Sequence, residues 1–188
     1  IGDRLSPHIC VWGVSRRKSS LPIRLASSRT YLYRLDMIHG WKNDSNQDIL
    51  EEICSIFSGK YDFSAFSRPD PERSPIRTVD ECALWRREDG GIIGFTVTAE
   101  SFLWNQVRRM ASAIHAVNNS NSSVDEIVDA LRNPGHARDL GRAPADALLL
   151  RNIHHRDTPL SWIAPLPELP FHAPPLSSDP RSIAIKFL

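Results

Sequence analysis

Arg77-Thr78-Val79-Asp80-Glu81-Cys82-Ala83-Leu84-Trp85-Arg86 and Ile92-Ile93-Gly94-Phe95-Thr96-Val97-Thr98-Ala99 flank the pentapeptide Arg87-Glu88-Asp89-Gly90-Gly91. The Asp-Gly-Gly string supplies positive φ angles, so the two runs read as a β-hairpin. The period then changes. Leu103, Val107, Met110, Ile114 and Val117 fall on one stripe of a helix over residues 101–118. Hairpin connections and one-sided helices go together, which makes the expected fold α+β: an antiparallel β-sheet with helices packed on one face.

The flanking sequence fits that frame. Downstream, Ser123-x-x-Glu126 is a capping box that opens a helix through Val124, Ile127, Val128 and Leu131. Asn133-Pro134-Gly135 ends it, and Ala147 to Ile153 is a last apolar strand. Upstream, Arg68 to Pro75 is a charged, proline-rich loop, and Asp62-Phe63-Ser64-Ala65-Phe66 is a short helical turn. Ile49, Leu50, Ile53, Ile56 and Phe57 share a helical face, with Asn43, Asp44 or Ser45 as cap and Gly59 as terminator. Thr30 to Asp36 alternates Tyr31, Tyr33 and Leu35 against Leu32 and Arg34, so it is a strand. His8 to Val14 is another strand, and Arg16 to Pro22 is a basic loop. One domain is expected over residues 1–157. Half of the chain's 14 prolines lie beyond it, so residues 158–188 read as an extended proline-rich tail, packed over the domain or onto a partner.

Bulk properties narrow the class. The 188 residues fit one domain, and a 41% hydrophobic share is ordinary for a globular core. No apolar run approaches the roughly 18 residues of a membrane span, and no signal peptide opens the chain. A cytoplasmic location is expected. The chain starts at Ile1 rather than methionine, which suggests a fragment, a processed chain or a partial gene. Cys10, Cys54 and Cys82 are scattered, with neither disulfide-framework nor zinc spacing, and read as buried free thiols. The net charge of +1 hides an asymmetry. Arg4, Arg16, Arg17, Lys18, Arg24, Arg29 and Arg34 face only Asp3 within residues 1–34. Such a stretch suits a polyanion, or else a solvated surface.

Three side chains carry the chemical argument. Tyr31 is either a packing residue or a platform on which a flipped-out base stacks, with Tyr33 as its support. Trp104 and Arg108, four apart, share a helix edge beside the apolar stripe. An arginine at a core boundary needs an anionic partner, and no local carboxylate offers itself. Arg109 reads as facing solvent or phosphate. Leu148, in Ala143-Pro144-Ala145-Asp146-Ala147-Leu148-Leu149-Leu150, reads by itself as a core residue.

Five segments in order resemble the C-terminal half of the tRNA pseudouridine synthase A family. They are Arg29-Thr30-Tyr31 with Tyr33, Tyr61-Asp62-Phe63-Ser64-Ala65-Phe66, Pro75-Ile76-Arg77-Thr78-Val79, Phe102-Leu103-Trp104-Asn105-Gln106-Val107-Arg108-Arg109-Met110, and Pro144 to Leu150. The resemblance covers about residues 8–155. It departs at Tyr61, where the family has histidine, and at Ala147, where it has glycine. The family's catalytic loop, Gly-Arg-Thr-Asp-x-Gly-Val-His, does not occur in these residues, and Asp80 in Arg77-Thr78-Val79-Asp80 is no substitute.

The resemblance implies a tRNA-modifying isomerase that turns uridine into pseudouridine with no metal or cofactor. Tyr31, Arg108 and Leu148 would be its site residues in this half: base platform, orienter of the catalytic aspartate and lid over the base. Arg16, Arg17, Lys18, Arg29 and Arg109 would bind RNA. The partners would be tRNA, an N-terminal half carrying the aspartate, and a second copy in a homodimer. Without that aspartate the chain alone is expected to be inactive. The rival reading is a noncatalytic RNA- or ribosome-binding protein of the same fold.

Overall fold

The computed structural model describes residues 13–14, 26–42, 46–68, 70–155 and 161–162. The chain divides into two compact units, one spanning Ser28–Ile153 and one formed by Ile1–Ser27 with His154–Leu188. In the second unit β1 (Gly13–Val14) pairs antiparallel with β7 (Ser161–Trp162). The basic loop with Arg16, Arg17 and Lys18 and the proline-rich stretch from residue 163 lie outside the described residues.

The first unit is α+β, as expected. Its strands are β2 (Ser28–Arg34), β3 (Gly59–Asp62), β4 (Ile76–Arg86), β5 (Ile92–Ala99) and β6 (Leu148–His154). They form one sheet in the order β3-β4-β5-β2-β6, and the β3–β4, β4–β5 and β5–β2 pairs are antiparallel. The helices are α1 (Gln47–Phe57), α2 (Gln106–Asn118) and α3 (Val124–Arg132).

The hairpin forms where the sequence places it. The Arg87 N–H donates to Gly91 O and the Gly90 N–H to Arg87 O. Only Gly90 uses a positive φ, of 85°. At Gly91 the Asp89 carboxylate accepts the N–H instead. Alternation along β5 then puts Ile93, Phe95, Val97 and Ala99 on the buried face. Opposite them on β4 stand Leu84, Cys82 and, beyond an irregularity between Val79 and Glu81, Val79. The irregularity matters, because it returns Val79 to the core face after an odd step.

The core lies between this face and the helices. Tyr33 stacks on Phe95 with centroids 6.0 Å apart, and α2 contributes Val107, Met110, Ala111 and Ile114. The other helices add Leu50, Ile53, Cys54 and Phe57 from α1 and Ile127 and Leu131 from α3. Cys54 and Cys82 are buried free thiols. Their mutual hydrogen bond, followed by burial, pushes the Cys82 thiol pKa up, so Cys82 stays a neutral packing group. Among the described residues no helix is long and apolar enough to cross a membrane.

Several local expectations change. The cap of α1 is Asn46, whose side chain accepts from the Asp48 and Ile49 N–H groups; residues 43–45 lie outside the described residues. Ile49 is on the exposed side, and Cys54 takes its place in the core. Gly59 follows the Ser58 cap of α1 with a φ of +128°, as a terminating glycine should, and also opens β3, a strand too short and too polar to show period two. The capping box is half formed. Ser123 Oγ accepts the Glu126 N–H at 3.2 Å, but the Glu126 carboxylate turns to Ser122 and Arg138. The helix expected over residues 101–118 begins at Gln106, five residues late.

Candidate functional site

That late start shapes the site. Beyond β5 the chain runs through Phe102, Leu103 and Trp104 without helical bonds, then reverses at Asn105, whose φ is +66°. A left-handed asparagine is tolerable but uncommon. Buried Gln106 locks the reversal. Its N–H donates to Leu103 O, and its side-chain oxygen accepts the Leu103 N–H at 2.9 Å. Trp104 therefore shares no helix edge with Arg108. It stands ahead of α2, 61% exposed, with the Arg68 guanidinium 4.1 Å from its ring centroid.

Tyr31 is half-buried in β2 and meets Phe102 edge to face, with centroids 5.2 Å apart. Its ring is thus steadied by the segment that leads into α2. Tyr33, one pleat on and fully buried, donates its hydroxyl to Pro144 O at 2.8 Å. Burial raises the Tyr33 pKa; nearby Arg108 opposes that shift and Asp146 adds to it. The phenol therefore stays protonated as a donor at neutral pH.

Arg108, in the first turn of α2, reaches the same strip of chain. Its Nε–H donates to Ala143 O at 2.8 Å, and Nη1 points at Asn105 Oδ1 at 3.5 Å. No carboxylate pairs with it among the described residues. Residues 143–148 then cross to the sheet. The Arg34 N–H donates to Ala147 O at 2.9 Å, and the half-buried Leu148 opens β6 against the core. Ala147 is absent from the positive-φ residues, so alanine there carries no backbone strain.

The strip from Ala143 to Leu148 thus ties together β2, with its tyrosines, and the start of α2, with Arg108. The arrangement offers an aromatic surface, a cation with no ion-pair partner among the described residues and an apolar flank. The strip's own carboxylate, Asp146, acts on Tyr33 but forms no ion pair with Arg108 among the described residues, and the geometry as it stands supports binding and orientation.

The basic residues divide. Arg29 Nη1 donates to Glu100 O, and Arg109 pairs with Asp139 at 2.7 Å. That pair, after the Gly141 N–H, holds the Asp139 carboxyl below its usual pKa. Arg34 makes a bidentate, buried pair with Asp36 and is not part of a basic surface. Two motif segments are architecture. Asp62 caps a turn by accepting the Ser64 N–H, while Phe63 and Phe66 are buried beside Phe57. Arg77 holds Ser74 and Ile76 carbonyls where the hairpin begins. Reading the sequence missed the Arg68–Trp104 pair, because a helix started too early hid the turn that brings them together. The signal was Asn105-Gln106, a residue tolerant of positive φ before one able to cap.

Comparison with known proteins supplies the family. Residues 53–155, more than half of the chain, match the model described as tRNA pseudouridine synthase. Several curated proteins named tRNA pseudouridine synthase A are similar. That of Methanosarcina barkeri is 29% identical over 164 residues, covering 87% of this chain and 58% of its own. That of Pyrococcus furiosus is 29% identical, covering 84% and 56%, and that of Methanoculleus marisnigri 34% identical, covering 69% and 44%. The chain therefore spans about half the length of these relatives, from 44% to 58%. The matched region contains the hairpin, the turn into α2, Arg108 and the closing strip, but not Tyr31 and Tyr33 of β2, and the chain belongs to the tRNA pseudouridine synthase family.

Proposed function

We propose that this chain forms the C-terminal half of the active site of an enzyme that isomerises uridine to pseudouridine in tRNA, in the cytoplasm. Tyr31 is the stacking platform for the flipped uracil, Arg108 fixes and ionises a catalytic aspartate, and Leu148 closes the apolar side. The aspartate comes from polypeptide outside these 188 residues, in a Gly-Arg-Thr-Asp context. A second copy completes a homodimer. The observation that carries this reading is Arg108: a half-buried guanidinium, oriented by a backbone carbonyl, near Tyr33 and with no ion-pair partner among the described residues.

The test is release of tritium from C5-labelled uridine in unmodified tRNA. The chain alone is expected to give no multiple turnover. Adding the N-terminal half of the Methanosarcina barkeri relative is expected to restore release. Sustained turnover by the chain alone would place the nucleophile within it and overturn the assignment.

The basic residues give a separate expectation. Replacing Arg16, Arg17 and Lys18 together by glutamate is expected to weaken binding to unrelated tRNAs alike. The log–log salt slope should become shallower by about 3, since each phosphate left unneutralised removes about 0.9. Filter binding at several salt concentrations reads it. An unchanged slope removes these residues, and Arg29 and Arg109 can then be tested singly in the same way.

A further inference from the structure

We propose that Trp104, backed by Arg68, is a second stacking platform that holds an unpaired RNA base next to the one held at Tyr31. This rests on the reading that the chain binds tRNA. The indole is 61% exposed, with the Arg68 guanidinium 4.1 Å from its ring centroid. It is also fixed there. Asn105 at φ +66°, the buried Gln106 side chain and the Arg68 N–H, which donates to Trp104 O at 2.9 Å, define the turn from both sides. Such a turn costs conformational strain and puts an aromatic ring into water, which is what a rigid binding surface requires.

The placement points to RNA. Phe102, two residues before Trp104, touches Tyr31, and Asn105, the next residue, touches Arg108. Trp104 thus stands at the edge of the site proposed for the reacting uridine, within reach of a neighbouring nucleotide. Arg68 lies against the ring and pairs with no carboxylate among the described residues, leaving its charge for a phosphate. Bases stack on indole whatever their identity, so the platform would steady the strand and not read its sequence.

Fluorescence anisotropy with the full chain tests this, using an unmodified tRNA transcript, oligouridylate and inorganic polyphosphate as ligands. Trp104→Ala is expected to weaken binding of both RNAs about tenfold or more, the usual effect of deleting one base-stacking ring. Polyphosphate, which has charge but no bases, should bind the variant as it binds the parent. Trp104→Phe keeps a ring and should restore RNA affinity to within about threefold. RNA-induced quenching of tryptophan emission should shrink in Trp104→Phe even though binding persists. Circular dichroism should show both variants folded, because the side chain is mostly in solvent.

Unchanged RNA affinity in Trp104→Ala, with the parent binding normally, overturns the proposal and leaves the functional reading standing. The indole would then serve another partner, such as a protein. Equal losses for RNA and polyphosphate would also overturn it, by showing a general disturbance of the basic surface. A parent chain that binds no tRNA at either low or physiological salt would defeat the functional reading and this inference together.

Discussion

Arg108→Met, in an enzyme reconstituted with the aspartate-bearing half, is expected to cut single-turnover isomerisation by about a hundredfold or more while tRNA affinity changes little. Displacing a reacting group by about 1 Å already costs that much. Here the change would remove both the charge that keeps the aspartate ionised and the donor that aims it. The pH profile distinguishes this role from a structural one. A carboxylate beside a guanidinium has a lowered pKa, so losing Arg108 raises it. The acidic limb of the rate profile should therefore move to higher pH, a shift that a merely loosened fold does not produce. Equal rates in parent and variant would end the assignment.

The same substitution has a modest stability effect. An Arg108 with no partner at all would make Arg108→Met neutral or slightly stabilising. The structure adds a 2.8 Å bond from Nε to Ala143 O. Removing it is expected to cost about 1 kcal/mol, the net worth of a typical hydrogen bond, partly offset because methionine keeps the stem packing. A urea melt of the chain reads the difference.

What the sequence reveals follows from what is local. The hairpin was legible because Asp89-Gly90-Gly91 and alternation act over a few residues, and α3 because Ser123 caps it. The sheet order was not: β3 lacks alternation, and β2 between β5 and β6 depends on pairings far apart in the chain. At the candidate site, the family resemblance pointed to Tyr31, Arg108 and Leu148, where residue type alone left packing or solvent-facing roles. Their joining strip did not show, since Ala143 and Pro144 act through backbone carbonyls that every residue possesses. Arg34 misled the charge count because its partner, Asp36, stands two residues away just beyond the strand. Trp104 was assigned to a helix edge by period alone. Only the reversal at Asn105, a backbone property, puts it in solvent.

Gly94→Ala is expected to destabilise the chain by more than about 3 kcal/mol, at or above the upper end of ordinary overpacking costs. Gly94 faces Arg34 across the β5–β2 pair and Trp85 across the β5–β4 pair. A Cβ there would overlap Tyr33 O outright and sit 2.8 Å from Tyr33 C and 3.1 Å from Leu35 N. These are main-chain atoms of the neighbouring strand, which cannot rotate away as a side chain can. The close approach arises where β2 ends at Arg34 and the chain winds into a tight turn over Leu35–Met37. Relief would require β2 to move, carrying Tyr33 off Phe95 and its hydroxyl off Pro144. Domains of this size hold roughly 5–15 kcal/mol in total, so much of the variant should be unfolded or close to it. In urea the midpoint should fall steeply with the slope unchanged. Gly135→Ala is the control. No atom lies within 4 Å of its added Cβ, so its stability should stay within about 0.5 kcal/mol of the parent or rise slightly. If Gly94→Ala melts like Gly135→Ala, β2 and β5 do not approach this closely at Tyr33, and the placement of both tyrosines would have to be redrawn.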